Sequence, residues 1–329
     1  MKQFILIIIV LLSQYTFSSG ITFGLNGGRL GDNILNYCKH KWISLKYNID
    51  LYVPDFKYKN KLPLHHYEKS KQDLQNANFS QTKKLHHDSQ INTNIKNCIY
   101  VGNYYLTIDD ITNRDAWPNY IFKLSIEHPE FGAQLKKMLT PEINHMPLPQ
   151  DIITVALHIR KGGGVDLPLS SQQYIEDKPK TSNTSKGADK YHPLKFPPEQ
   201  YYLDQLLTLY TILDEQPLYA YIFTDDKHPE KITQRIQAHC KNKNIIFDCR
   251  KEDNVHNKNV LYDVCLMSKF DYLIRSGSHF PWISQIIGNH KGIIFPQGSH
   301  WEGNNLIMGP ILFVEPNRKS NIIVETKIS

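Results

Sequence analysis

None of the five cysteines, Cys38, Cys98, Cys240, Cys249 and Cys265, forms a C-x-x-C pair, so the common zinc and dithiol redox signatures are missing. Five is odd, which leaves buried thiols, or one disulfide in an oxidising compartment. Long apolar runs are scarce as well: beyond residue 12 no stretch approaches the ~20 residues of a membrane-spanning helix. Excess charge is small. Thirty-eight Lys and Arg against 32 Asp and Glu leave +6, without the clustered surplus of a nucleic-acid binder. Most of it is local: seven lysines between Lys57 and His87 face only Glu68 and Asp73. That stretch, with the pairs His65-His66 and His86-His87, reads as a solvated face or as a surface for an acidic acceptor. No Gly-Lys-Ser or Gly-Lys-Thr occurs, and the early glycines at 24, 27, 28 and 31 do not make G-x-G-x-x-G, so neither a P-loop nor a dinucleotide fingerprint is present. There is no internal repeat.

What is present begins with a leader. Lys2 is followed by the nine apolar residues Phe4 to Leu12 and by the small residues Ser18, Ser19 and Gly20. This is the pattern of an export signal. Residues 1–20 are therefore expected to be a signal peptide or, if uncleaved, an anchor whose only membrane contact is through residues 4–12. The expected location is the secretory pathway or an extracytoplasmic space, such as a Golgi or ER lumen in a eukaryote.

The 329 residues are enough for two domains. Ile21 to Phe23 predicts a strand, the glycine-punctuated residues 24–31 a loop, and Asp32 to Lys46 a helix with apolar residues at helical spacing. Further strands are expected at Asp50 to Val53 and Cys98 to Gly102, a helix at Ile121 to Leu139, and loop or irregular helix through the lysine-rich stretch. Pro141, Pro147 and Pro149 mark a linker, which puts a boundary near Gln150. From there the chain alternates. Strands are expected at 152–159, 218–223, 245–247, 272–274 and 292–295; helices at 198–213, 229–239, 259–270 and 280–287. Such alternation builds a parallel sheet with helices on both faces and ligands at the carboxyl ends of the strands. The expected domains are residues 21–150 and 151–310, with 311–329 a tail. Val165 to Glu199 is a long polar loop, suited to a lid over an acceptor or to disorder. Asn78-Phe79-Ser80 and Asn183-Thr184-Ser185 fit the N-glycosylation pattern.

Four clusters fall at predicted strand ends. In His158-Ile159-Arg160-Lys161-Gly162-Gly163-Gly164 the first and third side chains share a strand face. A guanidinium beside glycine backbone donors suits a diphosphate. The alternative is a structural arginine and a flexible loop. Phe223-Thr224-Asp225-Asp226 offers carboxylates to ribose hydroxyls or a purine edge, or forms an ordinary turn. Without a third ligand, no metal is expected. Arg275-Ser276-Gly277-Ser278-His279-Phe280 puts hydroxyls and free N–H groups at a helix start, an anion pocket. Gly27-Gly28-Arg29-Leu30-Gly31-Asp32-Asn33 is another strand-to-helix turn.

These residues resemble the alpha-1,2-fucosyltransferase-like family of the fucosyltransferase superfamily. Gly28-Arg29-Leu30-Gly31-Asp32-Asn33-Ile34-Leu35-Asn36-Tyr37 is similar to its Gly-x-Leu-Gly-Asn-Gln-x-x-x-Tyr opening, and His158-Ile159-Arg160-Lys161-Gly162 to its His-x-Arg-Arg-Gly motif. Tyr221 to Asp226 resembles Ile-Phe-Ser-Asp-Asp. Asp263, Leu266-Met267-Ser268, Ile274 and Gly277-Ser278-His279-Phe280-Pro281-Trp282 resemble the stretch ending Asn-Ser-Ser-Phe-Ser-Trp-Trp, with Pro296 and Trp301 downstream. The resemblance implies an α/β, GT-B-like fold of two Rossmann-like domains facing a cleft. It implies inverting, metal-independent transfer of fucose from GDP-fucose to a glycan or sugar hydroxyl, with no cofactor beyond the donor. The partners are then GDP-fucose and a carbohydrate acceptor, and no nucleic acid. Arg160 would bind the diphosphate and stabilise the leaving GDP, assisted by Ser276, Ser278 and Gly162. His158 would shape the pocket, Asp225 or Asp226 would read guanine or ribose, and Gly31 and Asn33 would approach the donor. Asp166 and Asp32 are the candidates for the acceptor base. Departures stand at Asp32, Gly277, His279, Pro281 and Ile283. Two rival functions are a non-catalytic glycan- or nucleotide-binding protein on the same fold, and a glycosyltransferase using another nucleotide sugar.

Overall fold

The structure, a computed structural model, describes residues 19–25, 28–109, 111, 116–144, 146–162, 193–241, 243–251, 254, 257–302, 305–315 and 322–323. The chain forms two compact units that divide between Met138 and Leu139, ahead of the expected boundary at Gln150. Residues 139–150 belong with the second unit for a physical reason. The Met146 N–H donates to the Tyr262 hydroxyl at 3.1 Å, and the Cys265 thiol lies 3.9 Å from the Pro141 carbonyl.

In the first unit the strands β1 (Gly20–Phe23), β2 (Asp50–Tyr52), β3 (Gln81–Lys84) and β4 (Cys98–Gly102) make a parallel sheet in the order β2-β1-β4-β3. β1 starts at Gly20, and the Ser19 hydroxyl donates to the Ile95 carbonyl at 2.6 Å, so both residues pack as part of this unit. Glycine is required at residue 20 because a Cβ would sit 2.6 Å from the Tyr52 ring. The lysine-rich stretch, expected as loop or irregular helix, contains the short helices α2 (Leu64–Tyr67) and α3 (Lys71–Asn76) and, unexpectedly, the edge strand β3. All four β3 residues are exposed, so no apolar alternation marks them as strand. Helix α1 (Leu30–Tyr47) ends where Asn48 turns left-handed at φ 49 and donates to the Leu45 carbonyl. The single helix expected over 121–139 is two, α4 (Trp117–Glu127) and α5 (Pro129–Leu139). Pro129 has no N–H to continue a helix and begins the second one.

The second unit carries a seven-stranded sheet in the order β13-β12-β9-β8-β5-β6-β7. Its strands are β5 (Ile153–Ile159), β6 (Leu218–Thr224), β7 (Ile245–Cys249), β8 (Tyr272–Arg275), β9 (Gly292–Pro296), β12 (Ile311–Val314) and β13 (Ile322–Ile323). The five from β5 to β9 are parallel; β12 and β13 add antiparallel pairs. The helices are α6 (Glu199–Ile212), α7 (Pro229–Ala238), α8 (Val260–Met267) and α9 (His279–Ile287), and β10 (Ser299–Glu302) pairs with β11 (Asn305–Met308) as a hairpin. Of the expected tail, Ile311–Val314 belong to this sheet: β12 pairs with β9 and buries Ile311, Phe313 and Val314. One core joins Val155, Leu157, Ile222 and Ile274 of the sheet to Tyr201, Leu206, Ile232 and Ile236 of α6 and α7. All five cysteines are buried and unpaired. Among the described residues no helix is long and apolar enough to cross a membrane. The first eighteen residues and Asn183 lie outside the described residues, while Asn78 is exposed.

Thirteen of the 18 residues of α1 are buried, so polar side chains need partners inside the unit. Lys41 pairs with Glu68 at 2.9 Å, and the Tyr37 hydroxyl donates to the same carboxylate. Lys39 is different: its ammonium donates to the Tyr104 carbonyl at 2.8 Å and lies 4.2 Å from the Trp117 ring centroid. Burial pulls Lys39 down to about 7 from about 10.5. Below pH 7 both folded and unfolded chains hold the proton, and the folded state bears the cost of the buried charge. Between the two values only the unfolded chain holds it, so folding stability rises with pH across that window. In urea titrations the wild type should therefore gain on the order of 3 kcal/mol relative to Lys39→Met between pH 6.5 and pH 9.5. A constant difference between the two proteins across this range would refute the assignment.

Candidate functional site

β5 comes first in the second unit; β6 and β7 are laid down on one side of it, β8 and β9 on the other. The strand order therefore reverses between β5 and β8, and the carboxyl ends of such a pair diverge into a ligand crevice. At these two ends stand His158 to Gly162 and Arg275 to Ser278.

Arg160 joins them. Its guanidinium donates to the Ser278 hydroxyl at 3.0 Å and stacks 4.9 Å from the Phe196 ring centroid. Ser278 also caps α9, its Oγ accepting the Phe280 N–H at 3.4 Å. The positive end of that helix and the guanidinium thus converge on one hydroxyl. Ser276 is buried beneath, accepting the Ser278 N–H at 3.3 Å and lying 3.5 Å from His158 Nδ1. Burial, then the charges of Arg160 and Arg275, push the His158 imidazole down to about 3, so at neutral pH it is an uncharged wall of the site. Its ring packs 5.5 Å from Phe280.

The expected loop donors are engaged within the protein. Asp225 Oδ1 accepts the N–H groups of Lys161 at 2.7 Å and of Gly162 at 3.2 Å, while Gly162 adopts the left-handed φ of 94° that favours glycine. Asp225, expected to read a base or ribose, thus holds the β5 loop with this oxygen, because backbone donors reach it first. Asp226 makes the turn: its Oδ1 accepts the His228 N–H at 2.7 Å, and the Asn254 amide donates to the carbonyls of Thr224 and Asp226. Lys161 donates to Glu199 at 2.5 Å, and Arg235 grips the same carboxylate at 2.7 and 2.8 Å. Burial alone would raise Glu199; the two cations hold it down at about 2. Gly277 donates its N–H to the Leu194 carbonyl at 2.6 Å, and a Cβ there would meet Leu194 at 3.0 Å. The glycine found where the resembling family has asparagine is therefore what lets the segment Pro193–Lys195 close on the loop.

The fourth cluster lies in the first unit. Gly31 is buried in the first turn of α1, and the Asn33 amide donates to the Gly28 carbonyl at 3.2 Å. These two residues, expected to approach a donor, brace their own turn. Asp32 receives the Tyr104 hydroxyl at 3.5 Å and packs so closely on Gly28 that a Cβ there would fall 2.6 Å away. Asp166 and Gly163-Gly164 lie outside the described residues. Among the described residues no three or more of His, Cys, Asp and Glu gather in the manner of a metal site.

Arg275 stands in the third cluster without a role predicted from the sequence. It is the register partner of His158 across β5 and β8 and is 2% exposed. It donates to Gln285 Oε1 at 2.6 Å and to the Ser276 carbonyl at 2.9 Å, and lies 4.0 Å from the Phe295 ring centroid. A charged residue ending an otherwise apolar strand was the available signal.

No family model and no curated protein matches the chain. Among solved structures, 84% of the chain aligns with 70% of an Arabidopsis thaliana FUT1 mutant in complex with GDP, at 12% identity and a TM-score of 0.49. Similarly, 91% aligns with 99% of NodZ alpha-1,6-fucosyltransferase soaked with GDP-fucose, at 9% identity and a TM-score of 0.37. Both are fucosyltransferases, the class that the motifs resemble; the chain itself forms two units, one on a parallel sheet and one on a mostly parallel sheet. At these identities no substrate and no residue role passes from either protein to this chain.

The Asp225 contact has a measurable consequence. Asp225→Ala leaves two loop N–H groups without their acceptor and should cost about 1–3 kcal/mol of stability. Hydrogen exchange at Lys161 and Gly162 should accelerate together, and Asp225→Asn, which keeps an acceptor oxygen, should stay close to wild type. Unchanged exchange in the alanine variant would show that the carboxylate does not hold the loop.

Proposed function

We propose that the chain is a glycosyltransferase that moves fucose from GDP-fucose to a hydroxyl of a sugar or glycan, with inversion and without a metal. The observation that carries this reading is the union of Arg160, Ser278 and the α9 N-terminus at the switch point of the second unit. Those groups suit a diphosphate: a planar cation, a hydroxyl and a helix end, over a neutral His158. In such a transfer the chemistry concentrates charge on the departing diphosphate, and the Arg160 guanidinium stabilises it as it develops. The acceptor hydroxyl must lose a proton, and Asp32 and Asp166 are the carboxylates proposed to take it. The secretory location and the leader belong to the same proposal, since a lumen supplied with the donor by transport is where an exported enzyme of this kind would work.

A second reading, binding without turnover, has one observation in its favour. The N–H groups of Gly162 and Gly277, expected to face a ligand, are accepted by Asp225 and Leu194. Calorimetry with GDP, UDP and CMP, followed by a donor-hydrolysis assay with GDP-fucose, separates the two. Transfer or hydrolysis supports the enzyme; tight GDP binding with no release of fucose supports the binding protein; preference for UDP or CMP replaces the donor. In the same assay Arg160→Ala should weaken GDP by about tenfold to a hundredfold, the worth of a charge-assisted pair of hydrogen bonds, with circular dichroism unchanged. Wild-type GDP affinity in that variant would remove Arg160 from the site.

A further inference from the structure

The second cation at the strand ends is buried in an unusual way. Arg275 is 2% exposed, and among the described residues no carboxylate is paired with it. Its hydrogen bonds go to neutral acceptors, the Gln285 amide oxygen and the Ser276 carbonyl, and its flat face covers Phe295. Taking a charge out of water costs several kcal/mol when no counter-charge accompanies it. For fold alone this is a poor solution, because an apolar side chain of similar volume would fill the same space. Parallel register sets Arg275 beside His158, two residues before Arg160, and both guanidinium charges act on that imidazole. His158 gives no counter-charge in return.

Resting on the diphosphate-binding reading above, we infer that Arg275 is the fixed positive charge of that site. Too buried to touch the ligand, it sets the potential at the carboxyl ends of β5 and β8. It thereby determines specificity, favouring a nucleoside diphosphate over the less charged monophosphate. Its grip on the Ser276 carbonyl also orients the loop that presents Ser278. Charge in this low-dielectric setting acts over distances at which a surface residue would be screened. The bound diphosphate supplies the opposite charge, so the strain of the buried cation is relieved on binding.

Calorimetry on the full chain with GDP, GMP and pyrophosphate tests this in the wild type, Arg275→Met and Arg275→Lys. The methionine variant should lose about tenfold in affinity for GDP and for pyrophosphate, and its GDP-to-GMP preference should shrink. Lysine keeps the charge but not the planar geometry and should restore most of the loss. The methionine variant should also melt at or above the wild-type temperature. Equal losses for GDP and GMP, undiminished pyrophosphate binding, or a methionine variant that fails to fold would each overturn the inference, because each makes Arg275 a structural residue. The two levels separate cleanly. A wild type that binds pyrophosphate but prefers another nucleoside diphosphate defeats the GDP reading and leaves the Arg275 effect to be scored on pyrophosphate; a wild type that binds none of the three defeats both.

Discussion

The site depends on one hydrogen bond that crosses the reversal in strand order, from the Arg160 guanidinium to the Ser278 hydroxyl. β5 and β8 are neighbours in the sheet yet separated by more than a hundred residues of chain. Their loops leave in opposite directions because the intervening elements were laid to one side and the following ones to the other. Backbone pairing brings the two strand ends together, but only a side chain can tie the loops beyond them. Arg160 does so while its ring-stacked face is covered by Phe196, which fixes the plane of the guanidinium and therefore the direction in which its donors point.

Around that tie, the protein satisfies its own loop donors. Asp225 takes two N–H groups at the end of β5, Leu194 takes one at the end of β8, and Glu199 gathers Lys161 and Arg235. A loop held in this manner has little conformational entropy left to lose when a ligand arrives, which favours affinity. The same contacts take the Lys161, Gly162 and Gly277 N–H groups out of the donor supply. Preorganisation and donor supply are in competition here, and the engaged backbone amides show which of the two this loop favours.

Much of the scaffold was legible before any coordinates. The nearly continuous apolar run ending at Ile159 has the pattern of a strand buried on both faces, and the alternation that follows it gives the parallel sheet strand by strand. What escaped did so for physical reasons. β3 is an exposed edge of Gln, Thr and two lysines, held by backbone pairing alone and silent in hydrophobic periodicity. β12 follows a hairpin and a proline, where pattern suggests a stop. At the site, strand-end position singled out Arg160, Ser278 and Asp225, but not that an aspartate there would hold amides of the adjacent loop, since that depends on β5 and β6 being in register from Ile153 to Thr224. In sequence the glycine at 277 is a departure from the resembling family; the close approach of Leu194 makes it a packing requirement.

The two units also treat buried cations differently, and the chemistry of the side chains explains it. Lys39 sits against a carbonyl and an indole, and an ammonium has the option of shedding its proton, so burial draws it to about 7 and the charge becomes conditional on pH. Arg275 is buried too, and burial lowers it by a similar amount, but only to about 9, because the guanidinium begins higher. At neutral pH the lysine is near its midpoint while the arginine remains charged. A positive potential that persists inside a protein at neutral pH is therefore better held by arginine, and among the described residues of the second unit the buried arginine at a strand end is Arg275, beside β5.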